Sequence, residues 1–392
     1  MKVILSIDPI RYPLTGIGRY TYELARGLQQ AGLEDLLLMR GMRLQRDLPP
    51  RPDLSAEPGA TSIAVPRSLR TRLQDMAKKS RLAAGLYGTL APWQRGRVLA
   101  GHEDHIYHGP NFYLPPFAGT SVATIHDLSI YLWPQTHPPE RVRYMRSQLK
   151  KTLKYADFLI TDTEYTRREV ASYFNWPLQR IRAVHLASAA EFQPRSPQQL
   201  RPILQQLGLQ PDGYVLFTGT IEPRKNLELL LQAYQQLPAA LRQRWPLVLC
   251  GYRGWASADL HRRMESAQRA GWLKSPGFVD ASVLPALMAG ARLFVYPSLY
   301  EGFGLPVLEA MASGVPVICS NASTLPEVVA DAAALHAPQD VDGLCRLLQR
   351  GREEQHWRAR AAAAGLQRAS EFSWQRCVDQ TLEAYAAARQ AR

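Results

Sequence analysis

The chain has 392 residues, enough for two or three domains of ordinary size, each with its own core. Hydrophobic residues make up 46% and charged residues 21%, which excludes a disordered chain, and no apolar run reaches the ~18–20 residues of a membrane span. The net charge of +13 admits nucleic acid, an anionic membrane surface or a phosphorylated substrate as partner without choosing among them.

The N-terminus begins with a base, then offers only a strand-length apolar run that meets Asp8, so a secretory leader is not expected. Four scattered cysteines (Cys250, Cys319, Cys345, Cys377) form no Cys-x-x-Cys and read as buried thiols in a reducing cytoplasm. Residues 3–7 read as a buried strand. Thr15-Gly-Ile-Gly-Arg19 then opens a helix with Ile17, Tyr20, Leu24 and Leu28 at helical spacing. This is not the dinucleotide fingerprint. Thr21 stands where its third glycine belongs, and the strand ends about eight residues too early for the tight turn.

Residues 49–66 are proline-rich and read as irregular. Over 67–97, Arg67, Arg70, Arg72, Lys78, Lys79, Arg81, Arg95 and Arg97 oppose only Asp75, with leucines interleaved. A second basic helix, 141–154, sets Arg141, Arg143, Arg146, Lys150, Lys151 and Lys154 around a stripe of Val142, Met145, Leu149 and Leu153. Such faces are either solvated or docked on anionic headgroups, where each basic residue contributes about 1 kcal/mol. His102, Glu103, Asp104, His105 and His108 have metal-binding side chains, but no helix places them on one face, so zinc is not expected. Residues 121–125 form the next strand. His126 and Asp127 follow at its C-terminal end, the side on which open α/β sheets bind ligands.

A further strand and turn is read at 157–164. Residues 190–211, with Pro194, Pro197, Pro202 and Pro211, form a linker candidate. Strand 214–218 leads to Gly219-Thr-Ile-Glu-Pro-Arg224-Lys225-Asn226 and an amphipathic helix. Two adjacent cations at a strand-to-helix turn suit a diphosphate. Strands at 247–250, 277–279 and 293–296 follow. The last leads into Glu301-Gly-Phe-Gly-Leu-Pro-Val-Leu-Glu309, a helix opened by Pro306 and closed by Gly314. The N–H groups of Phe303, Gly304 and Leu305, with the positive end of the helix, would hold an anion, and Glu301 and Glu309 bracket it about 10–12 Å apart. The same residues would equally make an ordinary turn with both acids solvated. Strand–helix alternation in both halves implies an α/β protein of two doubly wound parallel-sheet domains, 1–192 and 193–372, with a terminal helix over 373–392.

The run E-G-F-G-L-P-x-x-E-A-M-A-x-G-x-P-V resembles the Glu-x7-Glu region of retaining glycosyltransferases of family 4. The resemblance covers nearly the whole chain, strongest over 213–330 and weakest over 40–100. It implies the GT-B fold, two Rossmann-like domains facing a cleft, with the C-terminal helix crossing back to the first. It implies a nucleotide-sugar held by Glu309 at the ribose and Glu301 at the sugar hydroxyls. Lys225, with Arg224, would contact the diphosphate. Gly16 and Gly18 would face the donor sugar and phosphates, and Val279 lies in the segment that sandwiches the base. His126 would lie near the reacting carbon, with Asn111 and Asp127 on the acceptor side. Some members carry an arginine directly after the glycine where Thr220 stands here, which leaves Arg224 to supply the second charge.

The segments His108-Gly-Pro-Asn111 and Thr124-Ile-His-Asp127 resemble mannosyltransferases of bacterial surface-polysaccharide assembly more than sucrose or glycogen enzymes. That implies GDP-mannose, or a GDP-6-deoxyhexose such as rhamnose, and a lipid-linked oligosaccharide acceptor, with a UDP-sugar as the alternative. The resemblance further implies retention of configuration, no metal requirement, and a cytoplasmic enzyme peripheral on the inner face of the membrane. The sole Asp-x-Asp, Asp340 to Asp342, reads as a late surface loop or helix start. Two other classes fit the sequence less well. A nucleic-acid-binding protein would need aromatics among its basic residues or a reading module, and neither is visible. A catalytically dead nucleotide-sugar sensor would not need Glu301, Glu309, Lys225 and His126 together. Replacing Glu301 or Lys225 by alanine is expected to abolish transfer with the fold intact.

Overall fold

The computed structural model describes residues 1–14, 16–50, 94–255 and 257–392. Residues 51–66 of the proline-rich stretch and all but the last four residues of the basic segment 67–97 lie outside the described residues.

Short apolar runs become two open sheets. The first comprises β1 (Lys2–Ser6), β2 (Asp35–Arg40), β3 (Arg43–Gln45), β4 (Ile106–Gly109), β5 (Thr120–Ile125), β6 (Phe158–Thr161) and β7 (Ile181–Ala183), in the order 3-2-1-4-5-6-7. The second comprises β8 (Val215–Thr218), β9 (Leu247–Cys250), β10 (Leu273–Gly277), β11 (Leu293–Tyr296), β12 (Val317–Ser320) and β13 (Ala334–His336), in the order 10-9-8-11-12-13. β4, β5, β6, β8, β9, β11 and β12 are buried at every residue, as strands covered on both faces are. β1 pairs in parallel with β2 and β4, and β8 with β9 and β11. The order reverses at β1 and again at β8, and beyond such reversals the strand ends leave room for ligands. Both sheets are of the Rossmann-like kind that the GT-B fold uses.

The chain divides into two compact units, one of residues 1–124, 147–159 and 383–392, the other of 125–146 and 160–382. This division differs from boundaries drawn at 192 and 372. The loops beyond β5 and β6 hydrogen-bond to the loop beyond β11, so compactness groups them with the second sheet. In the first unit the helix Gly16–Gln30 buries Tyr20, Leu24 and Leu28. The last turns of the C-terminal helix Trp374–Gln390 belong to this unit. Tyr385 bonds His108 Nδ1 at 2.7 Å, and Arg389 donates to the Asp104 carbonyl at 2.8 Å.

Three local expectations are corrected. Within the linker candidate 190–211 lies a helix, Pro197–Gln206, started by a Ser196/Gln199 capping box and anchored by buried Leu200 and Leu204. Proline at its first position suits a helix start, which is why a proline-rich run still folds into one. The strand expected at 277–279 is instead β10, which ends at Gly277 (φ 76°), so Phe278 and Val279 belong to the loop that follows. The basic helix is found as Pro139–Tyr155, with Val142, Met145 and Leu149 buried but Leu153 only half-buried. Its Arg146 is committed to packing, lying 5.1 Å over the Tyr131 ring and donating to the Ile130 carbonyl.

Candidate functional site

β8 and β11 are neighbours on either side of the reversal in the second sheet, so the loops after them meet. The loop after β8 makes a single tight turn, Pro223–Lys225, and Asn226 (φ 55°) begins the helix Leu227–Gln236. The Asn226 amide donates to the carbonyls of Pro297 (3.1 Å) and Pro338 (2.8 Å), which ties three loops together.

Glu301 sits in the loop after β11 between both cations. Its Oε1 accepts from Lys225 Nζ at 2.6 Å and its Oε2 from Arg224 Nη1 at 2.9 Å. Arg224 also reaches Glu222 at 2.7 Å and the Tyr300 carbonyl at 2.6 Å, while Lys225 donates to the Tyr296 hydroxyl at 2.7 Å. Two cations and two carboxylates therefore cancel within one buried cluster. Burial pushes the Glu301 carboxyl up, but Arg224 and Lys225 outweigh it and hold it at about 2. Burial and then Arg224 pull the Lys225 ammonium below its ordinary value, against Glu301.

The backbone of this loop is braced as firmly. Ser323 Oγ accepts from the Glu301 N–H at 2.8 Å, and Thr324 Oγ1 donates to the carbonyls of Glu301 and Phe303. Gly304, at φ 98°, lies in the left-handed region and starts the helix Leu305–Ala312, with Pro306 in its first turn and Gly314 (φ 72°) just past its end. Phe303 is buried and Glu309 half-buried on that helix.

The His126 loop is held against the Glu301 loop. A Cβ on Gly302 would lie 2.1 Å from the His126 carbonyl oxygen, so only glycine permits this approach. The Tyr300 hydroxyl donates to Glu169 at 2.5 Å and accepts from the Leu128 N–H at 3.1 Å. His126 Nδ1 meets Asp162 Oδ2 at 2.8 Å, both residues buried. Asp127 Oδ1 accepts from Ser129 N (2.9 Å) and Oγ (2.7 Å), and that hydroxyl meets His137 Nε2 at 2.9 Å.

The structure thus brings together Arg224, Lys225, Glu301, Phe303, Gly304, Leu305, His126 and Asp127. Val279 is buried just past β10, and the preceding Phe278 stacks on Tyr252 with ring centroids 4.3 Å apart. Gly16 (exposed), Gly18 (buried) and Asn111 (half-buried) belong to the first unit and keep only the roles the resemblance implies. His105 is bonded to Asp104 and Asp35, and His108 to Tyr385 and Thr124, as hydrogen-bonded structural histidines are. Asp340 caps the helix Val341–Glu353 by accepting from Gly343 N, and both it and Asp342 are exposed. Sequence reasoning missed Glu222, Asn226, Tyr296 and Asp162. Asp162 carried a usable signal, since it follows a strand just as His126 does.

Models of glycosyl transferases group 1 and of the glycosyl transferase 4-like domain match residues 202–375 and 15–187. A relative 43% identical over 386 residues, 98% of this chain and 99% of its own length, joins both halves. The chain belongs to this family and is a glycosyltransferase. That relative is the O-antigen chain mannosyltransferase B of Escherichia coli. The serotype-specific mannosyltransferase WbdA of Escherichia coli is 31% identical over 68% of this chain, which spans 33% of that longer protein. Among solved structures, HepE of Anabaena in complex with UDP-glucose superposes with a TM-score of 0.69 at 16% identity, over 98% of this chain and 99% of that one. At that identity it shows the fold alone. Among the described residues, no helix is long and apolar enough to cross a membrane.

Proposed function

We propose that this enzyme transfers mannose from GDP-mannose to a lipid-linked oligosaccharide during assembly of a bacterial surface polysaccharide. The observation that carries the reading is the 43% identity to O-antigen chain mannosyltransferase B along the full length of both proteins. Transfer proceeds with retention and without a metal. Breaking the anomeric bond puts negative charge on the departing diphosphate, where Arg224, Lys225 and the N–H groups of Phe303, Gly304 and Leu305 stabilise it. Glu309 holds the ribose and Glu301 the sugar hydroxyls. The departing phosphate takes the proton of the acceptor hydroxyl, and His126 and Asp127 orient that acceptor. The protein works peripherally on the inner face of the membrane, and the exposed Arg141, Arg143, Lys150 and Lys154 support docking there.

Thermal-shift measurements with GDP, UDP, ADP and their sugars test the donor, because a ligand bound by the folded state alone raises its stability. GDP-mannose should stabilise and should label a lipid-linked oligosaccharide. Transfer from a GDP-6-deoxyhexose or a UDP-sugar instead would sink the mannose assignment. Loss of activity in chelator, restored by Mg²⁺ or Mn²⁺, would contradict the metal-free reading. Anionic vesicles should retain the protein at low salt and release it at high salt, and absence of binding would remove the membrane claim.

A further inference from the structure

We propose that Asp162 is the positioning residue for His126, fixing the orientation of the ring and the nitrogen that carries its proton. The inference rests on the role given to His126 above. β5 and β6 are adjacent in the first sheet, and His126 and Asp162 are the first residues past their ends. The topology therefore sets the two side by side, with Nδ1 and Oδ2 2.8 Å apart. His126 is 7% exposed and Asp162 3%.

The second observation is a cost. Asp162 Oδ1 is buried and has no hydrogen-bond partner among the described residues. A buried carboxylate with one oxygen unsatisfied is destabilising, and an apolar side chain of similar volume would fill this core position without that penalty. A penalty retained beside a histidine at a strand end points to function. Burial pushes the Asp162 carboxyl up, while His126 opposes it and Asp127 adds to it. His185 and Cys377 are the other titratable groups whose charge Asp162 feels or perturbs.

The consequence is chemical. An ionised Asp162 accepts from Nδ1–H, which keeps the ring's proton on Nδ1 and sets the direction in which the ring faces. Without Asp162 the ring loses its carboxylate anchor and can carry its proton on Nε2. The backbone of His126 is pressed against Gly302, so the ring is held at both its root and its tip.

The test uses the full chain with Asp162→Leu and Asp162→Asn. In ¹⁵N-histidine spectra, with the His126 signal assigned through His126→Gln, the wild type should show the proton on Nδ1. Asp162→Leu should move it to Nε2. With GDP-mannose as donor, kcat should fall about 100-fold, or about 2.7 kcal/mol, with the donor KM within about threefold. In a His126→Ala background the same change should cost nothing further. An unchanged tautomer, a kcat within about threefold of wild type, or a further 100-fold loss in that background would each overturn the proposal. Asp162→Asn carries the same readouts should the leucine variant not fold. The tautomer measurement needs no donor, so it stands apart from the choice of sugar.

Discussion

The first unit buries His108 at the end of β4, with Tyr385 on one ring nitrogen at 2.7 Å and Thr124 on the other at 2.8 Å. The larger unit buries Glu301 beyond β11, between Arg224 and Lys225. Both clusters are polar, buried and sited beside a reversal of strand order. The first is a set of neutral hydroxyls and an imidazole that satisfy one another, and Tyr20 extends it through Thr124 at 3.0 Å. The second holds four charges in a confined space. Removing four charges from water costs several kcal/mol per ion, and a well-packed apolar core of the same volume would be as stable or more so. Packing alone accounts for the first cluster; the charged one needs a reason beyond packing.

Glu301→Ala should break this contrast most severely. It leaves Arg224 and Lys225 buried without their shared carboxylate, at a cost of about 3–5 kcal/mol, and it should abolish transfer. The fold can remain intact at that cost, and an unshifted urea midpoint would show that the cluster contributes nothing to stability. The next effect is acid sensitivity. The Glu301 carboxyl lies at about 2 in the folded chain against an ordinary 4.5. Its contribution is complete above about pH 4.5 and is lost as pH falls towards 2, on the order of 3 kcal/mol in all. Urea midpoints measured from pH 6 down to pH 3 should fall in the wild type and fall less in Glu301→Gln; equal slopes would show the ion cluster contributes nothing.

His108→Gln sharpens the comparison from the other side. It should cost about 1–3 kcal/mol of stability through lost hydrogen bonds and leave kcat within about twofold. A tenfold loss of kcat would give His108 a role in the reaction and merge the two clusters. Tyr300→Phe should be mildest, about 1 kcal/mol in urea, because it removes the hydroxyl that joins Glu169 to the Leu128 amide. A loss of several kcal/mol would mean that this hydroxyl, more than Gly302, holds the His126 loop in place.

What was legible beforehand was local. Strands 247–250 and 293–296 were readable to the residue from their apolar runs, and Pro306 and Gly314 marked the start and stop of the helix that follows the second. The Glu301–Glu309 run and the Arg224–Lys225 pair could be recognised because a phosphate cradle needs glycine, proline and charge at fixed short spacings. Even locally, a strong signal could be overridden in reading. Four prolines over 190–211 hid the Ser196/Gln199 capping box, though that box is itself a short-range pattern.

The pairings themselves were not local. Glu301 meets Arg224 and Lys225 across 77 and 76 residues, and His126 meets Asp162 across 36. His108 finds Tyr385 across 277. Each meeting depends on which strands lie side by side, and strand order is settled by how all the helices cover both faces of a sheet. The sequence by itself determined the elements, the chemistry available at their ends and the family. Tertiary structure decided that Glu301 lies between the two cations, with Glu222 as the second carboxylate, and that a carboxylate no motif announced stands behind His126.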